Sequence, residues 1–242
     1  MKIFLSGSET PDCYLIWNMK CKYNLLSFYY IKGKRQLAET VRDNSELIMI
    51  DSGAHSFQKG TRVNWVEYTK QYAQFIKEFD RPNVVGYFEM DVDNVIGYDK
   101  VLELRKILES VSNKIIPVWH KNRGLDEFKK MCQDYSGRVV AITGFKNEDI
   151  KDDQYIMFLK YAKQHNCKVH CLGMTRKDIL DRVPFDYVDS SSWKQAGLYG
   201  RSRNKKIDKN FSKQHRDKVF LATYLEGMEM QKYYERKWKK YE

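Results

Sequence analysis

Leu47-Ile48-Met49-Ile50-Asp51-Ser52-Gly53-Ala54-His55-Ser56-Phe57 is the stretch whose reading decides the fold. Four apolar residues and an aspartate make a run too short for a stable helix. Its length suits a strand buried on both faces. A Ser-Gly pair then interrupts the run, as a turn requires. Beyond the turn, Asn64 followed three residues later by Glu67 forms a helix-capping pair, and Tyr68, Tyr72, Phe75, Ile76 and Phe79 recur at helical spacing. Strand, polar turn and amphipathic helix together make one β/α unit.

The unit repeats outward in both directions. Seven further apolar runs read as strands, at 3–6, 25–31, 84–91, 115–120, 139–144, 169–174 and 185–190. Helical patterns lie between most of them, one carrying Val101, Leu104, Leu108 and Val111, another Tyr155, Phe158, Leu159 and Ala162. Alternation of this kind implies parallel strands joined by right-handed crossovers, and a closed ring is the economical arrangement for eight. The fold expected is therefore α/β, a TIM-type (β/α)8 barrel, with an open doubly wound sheet as the rival. No Pro/Gly/Ser-rich linker and no repeat divides the chain. We expect one domain over 1–242, with the barrel in 1–200 and a basic C-terminal helical extension in 201–242.

Charge and cysteine content narrow the function classes. The chain carries a formal net charge of +11, and residues 201–242 hold 13 Lys/Arg against 6 Asp/Glu. Such a segment fits a phosphate backbone, and it also fits a solvated helix face. No run approaches the length of a membrane span, so no membrane partner is expected. The opening Met1-Lys2-Ile3-Phe4-Leu5-Ser6-Gly7 has too few apolar residues for the core of a signal peptide. With five cysteines, an odd number, this argues for reduced thiols in a cytoplasmic compartment, the host cytoplasm if the chain is phage-encoded. Phe220, Leu221, Tyr224, Leu225 and Met228 near the C-terminus imply packing against the barrel or another subunit, which leaves a homodimer or an accessory protein as a partner.

In a β/α barrel the active site is assembled at the C-terminal ends of the strands. Those ends carry Asp51, Asp91, His120, Thr143-Gly144-Phe145, Gly173-Met174 and Asp189-Ser190-Ser191-Ser192-Trp193. One strand-end aspartate can be a helix cap. Three on different strands of one ring converge on a common space, where burial and mutual repulsion push their protonation apart. Paired carboxylates in such a setting are the equipment for breaking a glycosidic bond through an oxocarbenium-like state.

These residues resemble the tRNA-guanine transglycosylases, and within them the shorter phage and bacterial 7-deazaguanine DNA transglycosylases. Asp51-Ser52-Gly53-Ala54 is similar to the family's D-S-G-G/A-F-Q signature. Asp189-Ser190-Ser191-Ser192-Trp193 followed by Gly200-Arg201 is similar to its D-S-x-S-Y…G-R segment. Met90-Asp91, Pro117 to His120, Thr143-Gly144-Phe145 and Leu172-Gly173-Met174 fill the interval, so the resemblance covers roughly residues 47 to 201.

The resemblance implies that guanine in DNA is replaced by a 7-deazaguanine base such as 7-cyano-7-deazaguanine, with tRNA as the alternative polymer. Asp189 is implied as the nucleophile, Asp51 as the acid/base and Asp91 as the reader of the guanine N1 and exocyclic amine. Ser52, Gly53, His120 and Gly173 belong to the implied base pocket, amides near Gly144 address the carbonyl edge, and Phe57, Phe145 or Met174 stack on the purine. Arg201, Arg203, Lys205 and Lys206 are the candidate phosphate contacts. No cysteine follows Cys171, so the family's zinc site lacks its ligands and neither zinc nor another cofactor is expected. The chain also lacks an appended RNA-binding module, which favours the DNA-acting branch. Phe185-Asp186-Tyr187-Val188 mimics the nucleophile segment of bacterial tRNA enzymes, which makes Asp186 a rival to Asp189; the position farther along the strand favours Asp189. Asp93 reads as a cap of the helix that follows it. A barrel without activity that binds nucleic acid, and a hydrolase that leaves an abasic site, are the other functional expectations.

Overall fold

The computed structural model describes residues 1–10, 19–57, 63–144, 150–200 and 208–241. Strands form where the apolar runs lie: β1 (Lys2–Ser6), β2 (Tyr23–Ser27), β3 (Leu47–Asp51), β4 (Val84–Phe88), β5 (Ile115–Ile116), β6 (Val118–Trp119), β7 (Val139–Thr143), β8 (Lys168–Leu172) and β9 (Tyr187–Ser190). All of them pair in parallel, in the order β5-β4-β3-β2-β1-β9-β8-β7-β6. The two ends of that order are consecutive in the chain and flank Pro117. Proline has no N–H to give to a ladder, so the strand is interrupted there. The Ile116 carbonyl still accepts from the Glu89 amide at 3.0 Å on one side, and the Pro117 carbonyl accepts from the Ala141 amide at 2.9 Å on the other. The sheet is thereby a nearly closed parallel ring.

The interior of that ring is one apolar cluster. Phe4, Tyr23, Leu25, Met49, Phe88, Ile116, Val118, Ala141 and Tyr187 pack together, and His170 of β8 meets the rings of Phe4 and Phe88. Every strand contributes to it. Two larger clusters lie outside the ring under the helices α1 (Phe28–Ile31), α2 (Arg35–Asp43), α3 (Trp65–Phe79), α4 (Asp93–Ile96), α5 (Tyr98–Glu109), α6 (Gly124–Asp134), α7 (Tyr155–Gln164), α8 (Lys177–Leu180), α9 (Ser192–Tyr199), α10 (Lys209–Gln214) and α11 (Arg216–Trp238). The helix at Asn64 starts as the capping pair implied, with the Asn64 side chain accepting from the Glu67 amide at 3.1 Å.

Several strand boundaries differ from expectation, among them the end of β8, at Leu172 rather than Met174. β2 ends at Ser27, and Phe28 to Ile31 turn into a helix whose buried face is Phe28 and Ile31. β4 ends at Phe88, and the Glu89 carboxylate beyond it accepts from the Val118 amide at 2.7 Å. The fifth apolar run is split at Pro117, and the last strand begins at Tyr187, leaving Phe185 and Asp186 before it.

The C-terminal helix α11 covers the outside of β1. Gly227 makes the close approach possible, since a Cβ there would sit 3.0 Å from a Leu5 methyl. Buried Gln231 donates to the carbonyls of Ile3 and Tyr23, both at 2.7 Å. Phe220 and Tyr224 are buried against the barrel, whereas Leu221 and Leu225 are exposed. Among the described residues no helix is long and apolar enough to cross a membrane.

Candidate active site

Side chains alternate along a strand, so the residue two beyond an interior residue faces the same space one layer higher. From the interior cluster this rule gives Ser6, Ser27, Asp51, His120, Thr143, Leu172 and Asp189. All seven line one cavity of about 660 Å³ at the C-terminal mouth of the ring, together with Glu9, His55, Asp91, Gly173 and Lys194. Asp51 and Asp189 therefore face a common space from β3 and β9. Asp186 belongs to the other end of its strand. Its carboxylate accepts from the Val169 amide at 2.8 Å, and it does not line the cavity.

The two aspartates sit in different environments. Burial pushes Asp51 up to about 6, with the carboxylates of Asp189 and Asp91 adding to the rise and His55 and the Gly53 amide opposing it. The Gly53 N–H donates to Asp51 Oδ2 at 3.0 Å. That bond needs the turn in which Gly53 adopts φ +72°, where a Cβ would strike Tyr29 at 2.4 Å. Asp189 is held through one oxygen: Oδ1 accepts from the Gly173 amide at 2.7 Å and lies 3.1 Å from His170 Nε2. Nε2 is thus the His170 ring nitrogen that faces Asp189. The His170 Nδ1 is buried and meets no partner among the described residues. Both Asp189 contacts fall on Oδ1, and the carboxylate lines the cavity.

Asp91 is reached by a break in the alternation. After β4 ends, Met90 packs outward and Asp91 turns into the cavity. Its Oδ1 lies 2.7 Å from His120 Nε2 and its Oδ2 lies 3.1 Å from His55 Nε2. Burial works to raise the Asp91 carboxyl, but hydrogen bonds and charge from His120 and His55 hold it well below the usual carboxylate range. Burial likewise lowers His120, yet Asp91 prevails and brings it up to about 8. Beneath lies a buried ionic network. Glu89 accepts from Arg105 Nε at 2.6 Å and Arg123 at 3.1 Å, and Arg123 also reaches Asp93 at 3.1 Å and Asp91 at 3.5 Å. Asp93 is not the cap expected: Val92 occupies that position and Asp93 is the first helical residue, its Oδ1 accepting from the Asn94 amide at 3.0 Å and its Oδ2 held by Arg123 and Asn122. Asp91, Asp93 and His120 bring ligand atoms within 4.8 Å of one another, a spacing a cation could bridge. Arg123 pairs with both aspartates and also with Glu89.

Several residues assigned by resemblance do not come to the cavity. The Gly144 amide is spent on the Leu172 carbonyl at 2.9 Å, and Met174 is buried in the outer core. Phe57 packs edge-on against Tyr29, Trp65 and Tyr68. Ser52 is buried with its carbonyl accepting from Tyr68, and Gly53 contributes through Asp51 alone. Phe145, Arg201, Arg203, Lys205 and Lys206 lie outside the described residues. Conversely, Glu9, Lys194, Arg105 and Arg123 carry no motif that would single them out. His170 could have been found by counting back in steps of two along β8 from the cavity mouth. No protein-family model and no curated protein sequence matches the chain.

Proposed function

We propose that this chain is a base-exchange transglycosylase that replaces guanine in DNA with a 7-deazaguanine, on a (β/α)8 barrel whose fifth strand is divided at Pro117 and whose C-terminal helices form an extension. The observation that carries the reading is the pair of carboxylates, Asp51 and Asp189, lining one cavity in contrasting environments. A volume of about 660 Å³ suits a base with its sugar.

Asp189 Oδ2 attacks C1′ of the target nucleotide, and the bond from C1′ to N9 breaks with its electron pair leaving on guanine. Asp51, held near neutrality by burial, gives that guanine a proton. The result is a glycosyl ester on Asp189. A 7-deazaguanine enters the vacated pocket and yields its proton to Asp51. Its ring nitrogen then attacks C1′, which expels the Asp189 carboxylate. Two inversions give net retention, and turnover is ping-pong. Asp91 keeps lone pairs beyond those taken by His55 and His120, enough to accept from N1–H and the exocyclic amine. In a duplex, the target nucleotide must first leave the stack.

The test is exchange of labelled guanine into and out of DNA and tRNA, run with wild type and Asp189→Ala. Release from DNA that requires Asp189 and an incoming 7-deazaguanine supports the proposal. Exchange confined to tRNA transfers it to the other polymer, and wild-type exchange on neither sinks it.

A further inference from the structure

Asp189 stands on β9 and Asp51 on β3, and in the ring β1 and β2 lie between those strands. β1 and β2 form the shorter wall of the cavity between the two carboxylates. Glu9, in the loop after β1, and Ser27, at the end of β2, form its polar part. Glu9 is only 4% exposed, and its Oε2 has no hydrogen-bond partner among the described residues. Ser27 Oγ is buried and unpartnered as well. A buried carboxylate with an unmet oxygen is costly, and native proteins hold such groups where a ligand or a reaction uses them.

We propose that Glu9 is a further catalytic residue, an anion placed beside the sugar to stabilise the positive charge that develops on C1′ and O4′ as the base departs. This rests on the transglycosylase reading of the same cavity. In each half-reaction, electron density drains from the sugar before the new bond to C1′ is complete, so charge of the oxocarbenium type appears on the ring. Glu9 forms and breaks no covalent bond. Its Oε2 has no partner among the described residues and acquires an opposite charge only in the transition state, which is the condition for lowering a barrier and not merely tightening binding. Its surroundings suit the role. Burial pushes the Glu9 carboxyl up and prevails, with the charge of Asp51 adding to the rise, while backbone amides of Glu9 and Ser27 and the charge of Lys194 oppose it by favouring the ionised form. Lys194 in turn donates to Thr10 Oγ1 at 3.3 Å. A purely recognitive role toward a ribose 2′-hydroxyl would demand an RNA substrate, and the test separates the two.

The experiment compares wild type with Glu9→Gln, which keeps size and shape but removes the charge, and uses Glu9→Asp as the charge-conserving control. The expected result for Glu9→Gln is a fall in kcat of about 100- to 1000-fold on DNA and RNA alike, with KM for the polymer and for the incoming base within about 2-fold. Glu9→Asp should recover part of the loss. A second measurement needs no turnover: binding of a protonated pyrrolidine iminosugar, a cation with the charge of the transition state, against its uncharged carbocyclic counterpart. Wild type should prefer the cation and Glu9→Gln should lose that preference. Full activity in Glu9→Gln overturns the proposal, as does a loss confined to RNA or an unchanged preference for the cation. Those results leave the transglycosylase reading standing; absence of exchange in the wild type removes both.

Discussion

Replacing Asp51 by asparagine should abolish base exchange and, at neutral pH and above, stabilise the fold. The Asp51 carboxyl is raised from 3.8 to about 6 mainly by burial, so the folded protein holds this proton more tightly than the unfolded chain does. A raised carboxylate costs nothing below pH 3.8, where both states are protonated. The cost grows as pH rises toward about 6 and is complete above it. At about 1.4 kcal/mol per unit, the shift corresponds to about 3 kcal/mol. Asparagine carries no charge and retains an oxygen for the Gly53 amide. Urea unfolding of wild type and Asp51→Asn should therefore give similar stabilities at about pH 4 and a variant more stable by up to about 3 kcal/mol at about pH 8. Labelled-guanine exchange by the same samples should be lost at both. A variant that is less stable at the higher pH, or a difference that does not change with pH, would refute the claim that Asp51 is held in the cavity at a cost to the fold.

Three other outcomes follow from the same geometry. His170→Phe keeps a ring between Phe4 and Phe88 but removes the Nε2 contact to Asp189; kcat should fall about 10- to 100-fold with KM nearly unchanged, as read by steady-state exchange. Arg123→Ala leaves Glu89, Asp91 and Asp93 without their shared cation, and chemical denaturation should show a loss of about 3–5 kcal/mol. The His120 imidazole should titrate near 8 by NMR and at a lower value in Asp91→Asn; its contribution to stability is complete below about 6.5 and lost as pH rises through 8.

The strand-end aspartates were legible because barrels place chemistry at strand ends and because Asp51 and Asp189 fall on the inward parity of their strands. Asp91 was legible as a third strand-end aspartate and by resemblance, but not by parity. Strict alternation from Phe88 would have pointed Met90 inward, and Met90 instead packs in the outer core. Met174 and Gly144 illustrate the opposite error. Their place after a strand suggested the pocket, but Met174 packs behind β8 and the Gly144 amide already has a carbonyl partner. Nothing local distinguishes a glycine whose amide is free from one whose amide is bonded to a neighbouring strand.

Short apolar runs and their helical intervals were sufficient for an α/β fold of parallel strands, because hydrophobic periodicity is a local property carried by each segment; closure into a ring rather than an open sheet, and the break at Pro117, were decided by the tertiary structure. The engagement of the Asp186 carboxylate with the Val169 amide away from the cavity, the two-histidine grip on Asp91, the contact of His170 with Asp189 and the unmet oxygen of Glu9 emerged only from the tertiary structure. Each depends on groups far apart in the chain meeting in a buried space, where desolvation and paired charges, and not residue type, set protonation and reactivity.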